Sequence, residues 1–176
     1  MTADEQAEAI LTETVNQIIL EEGSSFTNEG NVEKEIVVQG GTLTLTNPNT
    51  DGTAVYTGNI TVESGTVNVT GSNIETGSLT LNGGTINFSE GASVVLGEED
   101  VLNLNGSKVI ISVADASAIE NGYNVVENLF GTTGTVTGAE GMDVTFTDAE
   151  GGKVAVPEPT TATLSLLALA ARRRRR

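Results

Sequence analysis

Hydrophobic and polar residues alternate along much of the chain from Val32 onward. The stretch EIVVQGGTLTLT places Ile36 and Val38 on one face of a strand and then Leu43 and Leu45, with Thr44 and Thr46 pointing the other way, as a half-buried strand requires. The same unit of two short strands around a glycine-containing pair returns as NITVESGTVNVT, SLTLNGGTINFS and VLNLNGSKVIIS, at spacings of 24, 19 and 23 residues. The pattern predicts an all-β repeat protein in which the connectors vary in length and the unit does not.

Two architectures satisfy this unit. In a parallel β-helix, or solenoid, each glycine-containing pair is a corner at which the chain turns onto the next face. In stacked antiparallel hairpins, or a β-sandwich, the same pair is a two-residue loop, and Leu81 faces Ile86 while Leu79 faces Phe88. We favour the parallel β-helix, because a repeat of about 20 residues with small aliphatic side chains at each inward position is typical of stacked coils.

The segment before the repeats follows a different period. Its apolar residues recur every three or four positions, which predicts a short amphipathic helix over residues 3–20. We therefore divide the chain into a helical cap and linker at residues 1–31, the β repeats at 32–114, a further β segment at 115–155 and a tail at 156–176.

Residues 115–155 leave the repeat pattern and are expected to form an atypical β segment that caps the coil, since the terminal units of a repeat array must cover its open end. The apolar residues expected to cover that end are Val125, Val126, Leu129 and Phe130. A looser fifth copy of the unit is expected at MDVTFTDAEGGKVAV, with inward residues at Val144, Phe146, Val154 and Val156.

Composition excludes several classes of function. The chain of 176 residues has a net charge of −16, and five of its eight basic residues are the terminal arginines, so its body is too acidic to bind nucleic acid. It contains no cysteine and no histidine, which removes disulfides, thiolate nucleophiles, histidine-based triads and zinc sites. We expect a protein that is not an enzyme and needs no cofactor.

Two groups of polar residues remain as candidates for chemistry. The adjacent acids at residues 98–100 offer the carboxylates of a glycosidase, although acids in a connector are typical of a solvated charge run. NPNTDG places Asn47, Asn49 and Asp51 at the spacing of a calcium loop, but its twelfth position is Gly58 instead of glutamate. A bulged turn is the better interpretation, and we expect no specific metal site.

The outward faces of the strands carry polar residues. Such a face is typical of simple solvation, and adhesion to extracellular polysaccharide is the alternative. These residues are Thr44, Thr46, Thr61, Asn68, Thr80 and Asn87.

The repeats resemble a known family. GGTLTL at residues 40–45, followed by DGTAVYTGNITVESGTVNVTG at 51–71, is similar to the autotransporter-associated β-strand repeat. The resemblance covers residues 36–111. It implies an exported protein whose repeats form a right-handed parallel β-helix at the cell surface.

The ending VPEPTTATLSLLALAARRRRR resembles the PEP-CTERM sorting signal, which combines a Pro-Glu-Pro triplet, a hydrophobic segment and an arginine cluster. The resemblance implies export through the inner membrane, arrest there by the tail, and processing by an exosortase. The arginines would then remain on the cytoplasmic side under the positive-inside rule. The residues of the signal are Pro157, Glu158, Pro159, Arg172, Arg173, Arg174, Arg175 and Arg176.

Two features depart from that family. Even counted from Thr160, the apolar segment would rise only ~18 Å as a helix, against a hydrocarbon core of ~30 Å. No signal peptide is visible at Met1, so we expect the true start to lie upstream, the alternative being that the chain derives from a larger exported protein and no longer follows this route. The sequence predicts a structural protein of the bacterial envelope or extracellular matrix, with an adhesin or carbohydrate-binding module as the alternative.

Overall fold

The computed structural model describes residues 16–114, 119, 125–132, 134–138, 142–148 and 153. Within this part of the chain nearly all regular structure is β, and the single helix there is the short α1, Val125–Leu129. The strands are β1 Gln17–Glu21, β2 Ser25–Thr27, β3 Glu35–Leu45, β4 Val55–Thr57, β5 Ile60–Val69, β6 Ile74–Thr76, β7 Leu79–Leu81, β8 Thr85–Phe88, β9 Val94–Leu96, β10 Val101–Asn103, β11 Lys108–Ser112, β12 Phe130–Thr132, β13 Thr135–Thr137 and β14 Asp143–Thr147.

These strands pair in parallel. One sheet holds ten strands and the other holds β4, β6, β9 and β12. The antiparallel contact within the described residues is an isolated bridge between Thr147 and Lys153. The predicted all-β class is confirmed, with parallel sheets.

The alternative of antiparallel hairpins, in which Leu81 faces Ile86, is wrong. Leu81 pairs with Val62 of β5, and Ile86 pairs with Val67 of the same strand, so Leu81 and Ile86 are not partners of each other. The physical reason is that the chain continues past each glycine corner onto a new row of partners instead of folding back on itself.

The inward side chains align in three rows, which we call ladders 1, 2 and 3. In successive repeats the chain runs through ladder 1, ladder 2 and ladder 3 in that order. One such turn of the chain is called a rung. Ladder 1 aligns Ile18, Ile36, Ile60, Leu79, Leu102 and Val136. Ladder 2 aligns Phe26, Leu43, Val67, Ile86, Val109 and Val144. Ladder 3 aligns Val55, Ile74, Val94 and Phe130.

The core lies between the ladders. Ile60, Val67 and Ile74 belong to one rung and are completely buried in a single apolar cluster with the rungs on either side. At the last described position of ladder 3, the Phe130 ring meets Phe88 edge to face, with 5.2 Å between centroids. Each rung therefore buries its aliphatic side chains mainly against the rungs before and after it.

The corner between ladders 1 and 2 is built on glycine. Gly65 has a φ of 92°, in the left-handed region that side chains disfavour, and a Cβ placed there would collide with the Gly41 carbonyl of the preceding rung. The other glycines with positive φ at this corner are Gly23, Gly40, Gly84, Gly106 and Gly138.

The helix predicted over residues 3–20 is wrong at its end, because Gln17–Glu21 is the strand β1. Ile18 and Leu20 point inward and pair with Ile36 and Val38, while Ile19 points outward. Isoleucine is favoured in strands, and two buried partners on the next rung outweigh the weak helical spacing. Residues 3–15 of the predicted helix lie outside the described residues.

Two strands of the segment expected to leave the repeat pattern continue the ladders, and its capping role stays a prediction. Strand β13 pairs with β10 in ladder 1, and β14 pairs with β11 in ladder 2. Val144 and Phe146 thus belong to the second strand of a rung, whereas the predicted fifth copy placed them in the first. Leu129 and Phe130 are buried and Val125 packs partly buried against the core, while the Val126 side chain, Val154 and Val156 lie outside the described residues.

Candidate functional site

The predicted sorting signal, Pro157–Pro159 with Arg172–Arg176, lies outside the described residues and stays a prediction. Within the part of the chain that the structure describes, no helix has the length and apolar character needed to cross a membrane.

The loop predicted as a bulged turn is closed by its own polar groups. The Asn47 amide donates to the Thr53 carbonyl at 3.1 Å and to the Ser72 carbonyl at 3.0 Å. The Asn47 side-chain oxygen accepts the Asn49 backbone N–H at 3.0 Å, and Asp51 accepts the Thr53 N–H at 2.9 Å. Hydrogen bonds from a side-chain oxygen to the backbone two residues on are those of an Asx turn, and this supports the turn interpretation.

Asp51 is stabilised in its charged form by the same turn. The hydrogen bond from the Thr53 backbone N–H, and after it the Thr53 hydroxyl, lowers the pKa of the Asp51 carboxyl from its ordinary value. The side chain is fully exposed to solvent, so the effect is local to the loop.

The acids at residues 98–100 form a turn between ladders 3 and 1. Glu98 and Glu99 are exposed. The half-buried Asp100 accepts the Gly97 N–H at 3.0 Å and the Ser78 hydroxyl at 3.4 Å. Asp100 therefore holds the turn together, and the described residues contain no group of three or more Asp, Glu, His or Cys side chains placed to hold a metal ion.

The same corner contains a polar column that the sequence analysis missed. Asn59 accepts the Ser78 backbone N–H at 2.9 Å, and the Ser78 hydroxyl accepts the Val101 N–H at 3.0 Å. Each side chain thus ties its own rung to the next. The signal in the sequence is that Asn59 and Ser78 are the first residues of two aligned repeat copies.

The outward polar residues form two rows. Thr61 lies beside Thr80 on the outside of ladder 1. On the outside of ladder 2, Thr44, Asn68 and Asn87 lie in consecutive rungs, and the Asn87 amide donates to the Asn68 side-chain oxygen at 2.8 Å. The structure therefore brings these five predicted residues together in register, and it connects Asn68 to Asn87.

Thr46, the sixth of those residues, belongs to a different arrangement. Its backbone carbonyl accepts the Asn28 amide at 2.9 Å, and its N–H donates to the Asn28 side-chain oxygen. Asn28 is completely buried. The Asn28 side chain thus bonds to both backbone groups of Thr46, as a neighbouring strand would. The hydrophobic pattern around Asn28 in the sequence does not predict this role.

No known protein family, curated protein or solved structure gives a significant match to this chain.

Proposed function

We propose that this protein is a non-enzymatic structural protein of the bacterial cell envelope or extracellular matrix. In this proposal the ladders wind as a right-handed parallel β-helix of autotransporter-associated type. A PEP-CTERM-like tail at residues 156–176 directs the chain to an exosortase-type processing machinery and holds it in the membrane until it is processed.

The observation that carries the proposal is the in-register stacking of the ladders. Six aliphatic residues align in ladder 1, from Ile18 to Val136, across six strands. Stacking of this kind fills the space between the ladders with apolar side chains from neighbouring rungs, as in elongated repeat proteins. A stack of this kind suits a spacer or scaffold outside the cell.

Several polar side chains form hydrogen bonds between neighbouring rungs. The Gln17 amide donates to Glu35 at 3.0 Å, and the Gln39 amide donates to Glu63 at 2.9 Å, each on the next rung. Side chains used in this way stabilise the stack and do not converge on a common point, as the groups of a catalytic or binding site must. This distribution favours a scaffold over an enzyme.

The tail is tested by localisation in a bacterial host that carries an exosortase. We expect the full chain to fractionate with the envelope and a variant without residues 156–176 to leave it. A matched variant that replaces Pro157, Glu158 and Pro159 by alanine, with the arginines kept, should reach the membrane but remain unprocessed. Unchanged localisation of the deleted chain would refute the sorting role.

The scaffold role is tested separately on a glycan array, with the purified protein. A scaffold should bind no glycan selectively, because its outward rows are solvated strand faces. Selective binding that is lost when Thr61 and Thr80 are replaced by alanine would instead support the adhesin alternative and would leave the sorting test unaffected.

A further inference from the structure

Two corners between ladders 1 and 2 carry an asparagine followed by glycine. These are Asn82–Gly83 and Asn105–Gly106, at equivalent positions in consecutive rungs. Both asparagines are exposed. They lie where the chain changes direction, outside the hydrogen-bonded strands.

The side-chain amides of Asn82 and Asn105 make no hydrogen bond within the described residues, and the N–H groups of Gly83 and Gly106 donate to no acceptor there. Other asparagines of the repeats differ in this respect. Asn59 accepts a backbone N–H of the next rung. Asn68 and Asn87 bind each other.

Free carboxamides next to a free glycine N–H are the reactants of intramolecular deamidation. The glycine nitrogen attacks Cγ of the preceding asparagine, the Cγ–Nδ2 bond breaks, and ammonia leaves with the proton from the glycine nitrogen. Water then opens the resulting five-membered imide at one of its two carbonyl carbons, which gives aspartate or isoaspartate. Glycine favours the attack because it has no Cβ to hinder the approach of its backbone nitrogen.

We propose that Asn82 and Asn105 are sites of spontaneous deamidation in the folded protein. The fold leaves both asparagine side chains exposed and both glycine N–H groups without an acceptor among the described residues, so folding adds no hydrogen bond that would hinder the reaction. Conversion adds one negative charge at each corner to a chain whose net charge is already −16.

Isoaspartate is expected to disturb the corner at Asn82 more than the corner at Asn105. A Cβ placed on Gly83 would lie 2.7 Å from the Glu63 carbonyl oxygen of the preceding rung, whereas the nearest atom to one on Gly106 lies at 3.9 Å. Isoaspartate lengthens the backbone just before the glycine. We therefore expect the product at Asn82 to lower the melting temperature and the product at Asn105 to leave it nearly unchanged.

The test is incubation of the folded full-length protein at mildly alkaline pH, followed by peptide mapping with mass spectrometry. Each conversion raises the peptide mass by about one mass unit. We expect conversion at Asn82 and Asn105 at rates similar to those of the same chain in denaturant, with no measurable conversion at Asn68 or Asn87, which bond to each other and precede Val69 and Phe88. Mapping is needed because Asn121–Gly122, a third pair of this type, lies outside the described residues.

The matched control is the N82Q/N105Q double variant. Glutamine keeps the amide at an exposed position but would have to form a six-membered ring, so the two peptides should stay unmodified while the fold is retained. The proposal is overturned if both asparagines persist in the folded protein under conditions that convert them in denaturant. It is equally overturned if mapping places all of the conversion at Asn121.

Discussion

Two buried threonines occupy inward positions of ladder 3, in the register that continues with Leu96 in the next rung. Thr57 and Thr76 pair with each other in adjacent strands, and Thr76 pairs in turn with Leu96. Both threonines are buried. The Thr57 hydroxyl donates to the Glu75 carbonyl at 3.4 Å, whereas the Thr76 hydroxyl has no hydrogen-bond partner. A buried hydroxyl without a partner costs free energy that a methyl group of the same shape does not.

Replacing Thr76 by valine should therefore raise the free energy of unfolding, by about 1 kcal/mol. The substitution keeps the branched shape and the packing against Leu96 and removes an unsatisfied polar atom. Equilibrium denaturation in urea measures the change. Thr57→Val is the matched control and should give no gain, since it removes a hydroxyl that has an acceptor. A loss of stability in Thr76→Val would contradict the argument.

At the scale of the element, the corners between ladders 1 and 2 require glycine for two separate reasons. Gly65 combines a positive φ with a close approach to the backbone of the preceding rung at Gly40 and Gly41. Gly52, in the loop after β3, has a similar φ of 83°, but a Cβ there would meet no atom within 4 Å. Comparing Gly65 with Gly52 therefore separates the cost of backbone strain from the cost of a steric collision.

Gly65→Ala should lower the free energy of unfolding by about 3 kcal/mol, because strain and collision act together. Gly52→Ala should cost only about 1 kcal/mol, since strain acts alone. Thermal and urea unfolding followed by circular dichroism would measure both. Equal losses in the two variants would show that the close stacking of rungs at this corner does not matter for stability.

The middle rungs could be predicted from the sequence, and the terminal rungs could not. From Ile36 to Ile111 the aliphatic residues alternate with polar ones, and the structure aligns them in ladders 1 and 2. In the first rung the apolar spacing fits a helix as well as a strand over so few residues, and the sequence therefore predicts a helix there. Strand β13 carries a single inward aliphatic residue, Val136, between threonines, which leaves no alternation to detect.

Ladder 3 was missed for a related reason. Its strands have three residues each, such as VYT and IET, and the second inward residue in both is a threonine. A single apolar residue has no period in the sequence. These strands are therefore recognised only by their pairing with the strands of adjacent rungs. The cross-rung bonds of Asn59 and Ser78 were hidden in the same way, because they depend on register between segments that are far apart in the sequence.

At the scale of the whole molecule, acidic residues far outnumber basic ones. The chain carries 24 acidic and eight basic residues, with a net charge of −16. Glu21, Glu22 and Glu29 are exposed and lie close together in the sequence of the first rung. Self-repulsion of this size destabilises a compact state, and salt screens it over a Debye length of about 10 Å at 0.1 M.

The melting temperature should consequently rise when sodium chloride is added from low ionic strength. Differential scanning calorimetry across a salt series would measure the rise. The E21Q/E22Q/E29Q variant provides the comparison and should melt at a higher temperature in low salt, with a shallower dependence on salt. A melting temperature that falls with salt in the natural chain would argue that attractive charge pairs dominate its surface.

The connectors between ladders 2 and 3 differ in length, while the rungs that they join stay in register. The chain uses residues 46–54 between β3 and β4, but only residues 70–73 between β5 and β6. Val55 and Ile74 nevertheless pair directly. A foreign peptide grafted after Thr50, an exposed residue of this loop, would therefore project from the side of the stack without disturbing it, so this loop is a natural position for displaying an epitope or an enzyme tag.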